Sequence, residues 1–505
     1  MKKPILISFT LLSSLVTSIV SSATLFPALA QTRGGTLRVV IAGEPPLLDP
    51  TASTSADVGR VVNQNVLEGL LTVNSKGRIV PQLARSYSVS SDGLTLSFKL
   101  RTGVKFHDGS SFEADDVLFA LGRARDPKSG HTHPEYYTQI SKVSAPDKQT
   151  VVLTLKERDN DLLFDLARQD SVIGPSGRVD AQKNQPIGTG PFKFRAWNRG
   201  QSIELERFSS YWNKSLPYLD RVSFRIIPDL NAQFAALRAN DVDIIGYGLG
   251  AENLAQVQAD PNLELLTGGS TAKITLGLNN SKAPFNDIRV RKALQYATNK
   301  PEILEGILFG QGKVIGSHRT PAEAGYLDLS KAYPYNIEQA KKLLEQAGYN
   351  AAKPLKFTLE LPAPYQNEVR IGTAVAAQWA KAGIQVELKT VEWSTWLSKI
   401  FTNADYQATI IGHVEANDIG IYNDPQYYFR YNSPRFQAAF KRYQSGNPVN
   451  SSAALGELQK ILSDDAVNVW VVQLATLVPV RKGVKGWEVG APVESLNATR
   501  AYLSK

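Results

Sequence analysis

The sequence predicts an α/β protein built from at least two lobes. Strands and helices alternate with short links from Leu355 to Gly412, which is typical of a parallel sheet covered by helices. An export signal takes up the first 30 of 505 residues, and the 475 that remain (505 − 30) are too many for one hydrophobic core. We therefore expect two lobes or more.

Residues 1–30 have the pattern of a secretory signal peptide. Lys2 and Lys3 precede an apolar stretch, and Ala28-Leu29-Ala30 supplies the small-x-small cleavage site. The apolar stretch is short for a membrane anchor, which needs roughly 20 apolar residues. The sequence has no cysteine for a disulfide or for a lipid at the cleavage site. An exported protein without a lipid anchor fits the periplasm of a Gram-negative cell.

The charge pattern argues against nucleic-acid binding. Lysine and arginine exceed the acidic residues by 56 − 47 = +9, and without the two signal-peptide lysines the excess is +7. The basic residues are scattered rather than clustered, as on a solvated surface.

The first half of the chain is rich in strands. TLRVVIA (Thr36 to Ala42) is predicted as a buried strand, and LTLSFKL (Leu94 to Leu100) and TVVLTL (Thr150 to Leu155) alternate apolar with polar residues. FKFRAW and SIELER, joined by NRGQ, predict a hairpin.

The second half changes to helices between strands. NIEQAKKLLEQAGY predicts an amphipathic helix that Asn336 caps and Gly348 ends. Helix WSTWLSKIFTN and strand YQATIIG close the alternating run, and IIGHVEANDIGIYNDPQYYF begins where that strand ends. Ligands of open α/β sheets bind outside the carboxyl ends of strands, so Gly412 to Asp418 is a candidate site.

The sequence offers no clear metal site. Only His131 and His133 lie close together among five histidines, and two ligands do not make a tight site. His413 lies near Glu415 and Asp418, but a lone histidine beside acids is more often a hydrogen-bonded wall residue. We expect no metal and no cofactor.

Catalytic motifs are also missing. There is no G-x-S-x-G, and GTGP (Gly188 to Pro191) lacks the lysine and the helix of a phosphate loop, so it predicts a strand-entry turn. Paired carboxylates could hydrolyse glycans, but no histidine or lysine at a defined spacing supports them. We expect a protein that is not an enzyme.

The acids and aromatic rings instead suggest a ligand pocket. An acid at a strand end can pair with a ligand ammonium, and Trp393, Trp396 and Tyr365 can supply flat apolar contacts. The alternatives are that the two tryptophans are core residues and that the acids cap a polar loop. The predicted ligand-binding residues are Glu415, Asp418, His413, Trp393, Trp396, Tyr365 and Glu44.

Several stretches resemble one family. These are Leu83 to Leu121, PIGTGPFKF (Pro186 to Phe194), RVRKALQYATNK (Arg289 to Lys300) and EQAKKLLEQAGY (Glu338 to Tyr349). They are similar to the peptide-binding extracellular solute-binding proteins of ABC importers, the dipeptide and oligopeptide receptors of family 5. The resemblance implies a type II periplasmic binding protein-like fold with an extra subdomain in lobe 1. It also implies a monomeric receptor that closes around a solute and presents it to the transmembrane permease subunits.

The resemblance implies lobe boundaries. We expect lobe 1 at 31–278 with an inserted subdomain at about 76–185, lobe 2 at 279–475, and a return to lobe 1 at 476–505. A chain that crosses twice makes a hinge.

The resemblance also bears on the ligand. Matching ADYQATIIG (Ala404 to Gly412) to the family strand puts Ala416 at or beside the aspartate that takes a peptide ammonium, with Glu415 and Asp418 next to it. Ala363 stands where dipeptide binders place an arginine for the peptide carboxylate. A longer peptide, an opine or another amine-bearing solute fits as well as a dipeptide, and related receptors take nickel chelates or haem. The competing functions are a periplasmic glycan hydrolase or transferase and a holding chaperone.

Overall fold

The computed structural model describes residues 31–246, 249–250, 253–446, 451–490 and 493–504. The predicted signal peptide lies outside this range. Among the described helices, none is long and apolar enough to cross a bilayer.

The described residues form 21 strands and 13 α-helices, with strands in succession in the first half and strands separated by helices in the second. The strands are β1 (Thr36–Ile41), β2 (Glu68–Gly69), β3 (Leu71–Val73), β4 (Ile79–Pro81), β5 (Ala84–Val89), β6 (Thr95–Leu100), β7 (Ile140–Asp147), β8 (Thr150–Leu155), β9 (Val172–Ile173), β10 (Phe192–Asn198), β11 (Ser202–Arg207), β12 (Arg221–Ile226), β13 (Ile244–Ile245), β14 (Leu263–Leu278), β15 (Gly312–Val314), β16 (Lys356–Pro362), β17 (Gln385–Val391), β18 (Ala408–His413), β19 (Val469–Arg481), β20 (Val484–Lys485) and β21 (Tyr502–Leu503). The helices are α1 (Ala56–Val62), α2 (Ala114–Arg125), α3 (Leu162–Asp165), α4 (Val179–Gln182), α5 (Leu230–Arg238), α6 (Leu254–Gln258), α7 (Ile288–Ala297), α8 (Lys300–Leu308), α9 (Ile337–Gln346), α10 (Gln366–Ala380), α11 (Trp393–Thr395), α12 (Pro434–Ser445) and α13 (Ser451–Asp464). A π-helical turn, Trp396–Thr402, continues α11.

One sheet runs through both lobes. Its strand order is β10-β11-β12-β1-β13-β19-β14-β18-β16-β17, and β15 also pairs with β19. The strands are parallel where β1 meets β12 and β13, and where β16 meets β17 and β18. The predicted parallel β-α-β-α-β unit is confirmed by β16, β17 and β18, as is the β10–β11 hairpin.

Two long antiparallel strands join the lobes. β14 and β19 pair continuously from Leu263 to Gly269, and pairing resumes at Lys273 opposite Gln473. Between these stretches the register shifts, which locally bends and twists a sheet.

The chain enters lobe 2 earlier than the expected boundary at 278. The part of β14 from Lys273 to Leu278 already pairs with β18. Because β14 is one unbroken strand of 16 residues, no change of composition marks the crossing in the sequence.

Each lobe has its own hydrophobic core. Lobe 1 packs around β1, β11 and β12, with Leu496, Ala498 and Ala501 from the returning end of the chain. A separate core, with most of its residues between Leu70 and Ile173, belongs to the four-stranded sheet β5-β6-β8-β7 and α2. Lobe 2 packs α7, α9 and α10 against its half of the main sheet.

Local sequence signals set several of these elements. The Asn336 side chain accepts a hydrogen bond from the Gln339 amide at 2.9 Å, and Gly348 has φ +88°, so α9 starts and ends as predicted. The GTGP segment is a strand-entry turn. A Cβ at Gly188 would lie 2.0 Å from the Val66 carbonyl oxygen, so this turn has no room for a side chain.

Candidate functional site

A large cleft lies between the lobes at the β14–β19 crossing. Its volume is about 1290 Å³. Its floor includes Ser270 to Ala272 of β14 and Leu474 to Val478 of β19. One wall comes from the lobe 1 subdomain and the other from residues 414–418 of lobe 2.

The lobe 2 wall is the loop that follows β18. Glu415 and Asp418 both line the cleft. Asn417, between them, has a left-handed backbone conformation with φ +59°. Glu415 is exposed, and its carboxylate accepts only the Val414 amide, at 3.2 Å, within the described part of the chain. Of the two acids, Glu415 is the one with a carboxylate available to a ligand.

Asp418 already has a cationic partner inside the protein. The fully buried Lys273 ammonium lies 3.4 Å from its carboxylate and also donates to the Glu415 carbonyl oxygen at 2.9 Å. Burial alone would raise the pKa of Asp418, but His318 and Lys273 together hold it well below its ordinary value. Asp418 therefore stays ionised and neutralised by Lys273.

A chain of hydrogen bonds fixes the orientation of Asp418. The Asn468 amide and the Trp470 indole donate to the Tyr422 hydroxyl oxygen, at 3.1 and 3.3 Å. The Tyr422 hydroxyl then donates to Nδ1 of His318 at 3.1 Å, and Nε2 of His318 donates to Asp418 at 2.8 Å.

Burial sets the protonation state of this chain. It lowers the pKa of His318; the Asp418 carboxylate opposes this shift, and the Lys273 charge adds to it. A neutral imidazole with its proton on Nε2 satisfies every bond in the chain.

His413 belongs to the aromatic layer beneath this loop. Its ring is buried and stacks on Tyr428, and Nε2 makes a 2.9 Å hydrogen bond with the Tyr428 hydroxyl. Burial lowers the pKa of His413 to about 3, so the ring is neutral. His413 is thus a wall residue behind the loop, and it does not line the cleft.

His413, Glu415 and Asp418 bring one possible metal-ligating atom each to within 4.8 Å of one another. The Asp418 charge in this group is already neutralised by Lys273, and the His413 nitrogen Nε2 already has a partner. The arrangement therefore gives a metal ion little advantage.

The aromatic residues predicted for the pocket lie in lobe 2, outside the cleft. Trp396 is a core residue, 3 % exposed, whose indole donates to Thr409 at 2.9 Å. Trp393 stacks on Trp396 at 5.0 Å, and Tyr365 meets the edge of Trp393 at 5.1 Å. The core alternative therefore describes Trp396, whereas Trp393 is half-buried and Tyr365 is exposed on the lobe 2 surface.

Glu44 is also displaced from the expected site. Its carboxylate accepts the Trp197 indole at 2.9 Å and the Gly200 amide at 3.1 Å. It braces the β10–β11 hairpin and does not line the cleft.

His131 and His133 lie in the lobe 1 subdomain. The His131 ring nitrogens contact the Asp170 carbonyl at 3.0 Å and the His133 amide at 3.2 Å. Nδ1 of His133 contacts Glu135 at 2.8 Å. The two imidazole rings therefore make hydrogen bonds within the subdomain.

The sequence did not predict the contacts that join the two walls of the cleft. Asp161 of the subdomain accepts hydrogen bonds from Asn417 at 2.8 Å and from the Tyr443 hydroxyl at 2.7 Å, both in lobe 2. Lys273 had a visible signal, because a lysine within the apolar strand TAKITLGL needs a buried partner. The partners of Asp161 had none, since they lie more than 250 positions away.

The chain matches known proteins over most of its length. The family described as "Bacterial extracellular solute-binding proteins, family 5 Middle" matches residues 78–437. Heme-binding protein A of Haemophilus influenzae is 32 % identical over 63 % of either chain. The dipeptide-binding protein of Escherichia coli K12 is 28 % identical over 91 % of this chain and 93 % of that protein.

Solved structures share the fold. The unliganded open form of the periplasmic murein tripeptide binding protein MppA covers 94 % of this chain and 99 % of its own, with a TM-score of 0.83 and 22 % identity. The oligopeptide-binding protein AppA of Bacillus subtilis with a nonapeptide covers 94 % and 100 %, with a TM-score of 0.69 and 25 % identity. This chain belongs to family 5 of the bacterial extracellular solute-binding proteins.

Proposed function

We propose that this protein is the receptor of an ABC importer in a Gram-negative periplasm. It captures a peptide or a peptide-like solute between its lobes and delivers it to the transmembrane permease. The observation that carries the proposal is the 1290 Å³ cleft, whose walls come from both lobes. Relatives named for dipeptides and oligopeptides support the ligand class.

The interlobe connection supports closure on the solute. The described lobes are joined through β14 and β19, and the register shift between Gly269 and Lys273 lies at the cleft floor. A bend at that point would change the angle between the lobes and with it the width of the cleft.

The loop after β18 supports capture of an amine. The Glu415 carboxylate is exposed at the cleft, whereas Asp418 is bound by Lys273 and His318. Glu415 is therefore the acid that we assign to the ligand ammonium.

Native mass spectrometry of the purified protein tests the proposal, because tight receptors often retain their solute. We expect an excess mass that disappears after partial unfolding and returns with the extracted solute. Small-angle scattering should then show a monomer whose radius of gyration falls on rebinding. An unchanged radius at saturation would argue against closure, and turnover of a cell-wall glycan would favour the hydrolase alternative.

A further inference from the structure

The lobe 1 wall of the cleft contains an acid without a partner. Asp165 ends α3 on the subdomain and is only 8 % exposed, yet it lines the cleft together with Phe164 and Arg168. Within the described part of the chain, its carboxyl makes no hydrogen bond or ion pair. A buried carboxyl without a partner is unfavourable unless a ligand supplies a hydrogen bond or a counter-charge.

The neighbouring acids are satisfied by the protein. Asp159 accepts the amides of Asp161 and Leu162 at 3.0 and 3.2 Å, which caps the start of α3. Asp161 accepts two hydrogen bonds from lobe 2. Asp165 is thus the member of this acidic group that is left for a solute.

The nearest cation is directed elsewhere. The Arg168 guanidinium lies over the Tyr136 ring at 4.7 Å, and its Nε is 3.6 Å from Asp170. Arg168 therefore lowers the local negative potential without forming an ion pair with Asp165.

We propose that Asp165 is a cation subsite for a lysine or arginine side chain of the captured peptide. This inference rests on the proposed function, because it needs a solute in the interlobe cleft. Glu415 on the lobe 2 wall would take the peptide ammonium, and Asp165 on the lobe 1 wall would take a second positive charge. The receptor would then favour basic peptides.

The protonation of Asp165 supports this assignment. Burial raises the pKa of Asp165 to about 8, Arg168 opposes the rise, and Asp161, Asp159 and Asp170 add to it. The phenols of Tyr136 and Tyr137 also face this group. At neutral pH the free receptor therefore holds a proton on this carboxyl, and an arriving cation would release it.

Calorimetric titration tests the subsite with defined probes. Tetra-alanine peptides carry one lysine at each position in turn, and matched peptides carry norleucine, which keeps the chain and removes the charge. In the wild type we expect one lysine peptide to bind about tenfold tighter than its norleucine partner, or ~1.4 kcal/mol. Titration in two buffers of different ionisation enthalpy should show proton release with that peptide.

The variant Asp165→Asn keeps the shape and removes the ionisable group. We expect it to abolish both the lysine preference and the proton release while it still binds the norleucine peptides. Asp180→Asn is the matched control, because Asp180 is 94 % exposed on the same subdomain and does not line the cleft. It should leave both signals unchanged.

The outcomes separate the two proposals. Peptide binding without a lysine preference, or a preference that survives in Asp165→Asn, overturns the subsite but leaves the receptor function intact. If none of the peptides binds the wild type, the peptide-receptor proposal itself fails, and the subsite fails with it.

Discussion

The buried pair Lys273–Asp418 gives a sharp test of how the lobe 2 wall is held. The variant Asp418→Asn keeps an oxygen that can accept from His318, but it leaves the Lys273 ammonium buried without a counter-charge. The two charged atoms are 3.4 Å apart, and the side chains are 0 % and 15 % exposed. Breaking a buried pair by removing one partner costs about 3–5 kcal/mol.

Thermal unfolding measures this effect. A loss of 1 kcal/mol lowers Tm by about 2–4 °C in a unit of 150–250 residues, so we expect a fall of roughly 6–20 °C. The double variant Lys273→Met with Asp418→Asn removes both charges. Because a well-packed apolar replacement of a buried ion pair is often neutral, this variant should recover most of the loss.

The pH dependence provides an independent check. The pKa of Asp418 is lower in the folded protein than in the unfolded chain. Its contribution to stability is therefore present above the unfolded pKa near 4 and is lost as the pH falls below it. The Asp418→Asn variant should lack the loss of stability that Asp418 causes at acidic pH. A single variant that melts within 2 °C of the wild type, or a double variant no better than the single, would refute the pairing.

Three further predictions concern other residues. Glu415→Gln should weaken binding of the co-purified solute by tenfold or more in calorimetry, since it removes the exposed acid at the cleft. Asp418→Asn should instead act mainly on stability. A change below threefold for Glu415→Gln would argue against the ammonium site. Lys300 is buried, and among the described residues it donates only to the Ile315 carbonyl, at 3.2 Å; burial lowers the pKa of Lys300 to about 7. Between pH 7 and the unfolded pKa near 10.4, the unfolded chain binds a proton that the folded protein does not, so stability is full above that range and is lost as the pH falls towards 7. Lys300→Met should therefore raise Tm at pH 7 by an amount that shrinks towards pH 10. A lower Tm at pH 7 would contradict this. Replacing His131 and His133 with alanine should leave solute affinity intact in folded samples, and a tenfold loss would show that they serve binding.

Secondary structure could be predicted from local signals. The caps at Asn336 and Gly348, the period of α9 and the alternation of β6 and β8 depend on neighbours within a few residues, and the structure has each of these elements. The parallel sheet of β16, β17 and β18 also followed from short links between strands and helices. The position of Glu415 and Asp418 at the cleft followed from the end of β18.

The remainder of the site depends on which residues, far apart in the sequence, come into contact in the fold. Trp393 and Trp396 have the spacing of either a pocket or a core, and only the contact of Trp396 with Thr409 of β18 places Trp396 in the core. Glu44 follows a strand end as Glu415 does, but the fold places it beside the β10–β11 hairpin.

The sequence by itself determined the α/β class, the family and the loop that lines the cleft, because these depend on local pattern. Only the tertiary structure decided the state of each acid. It places Lys273, 145 positions away along the chain, against Asp418. Among the described residues, it leaves the buried Asp165 carboxyl at the cleft without a hydrogen-bond or ion-pair partner. An acidic residue in a sequence has no fixed role until the fold brings, or fails to bring, a counter-charge to it.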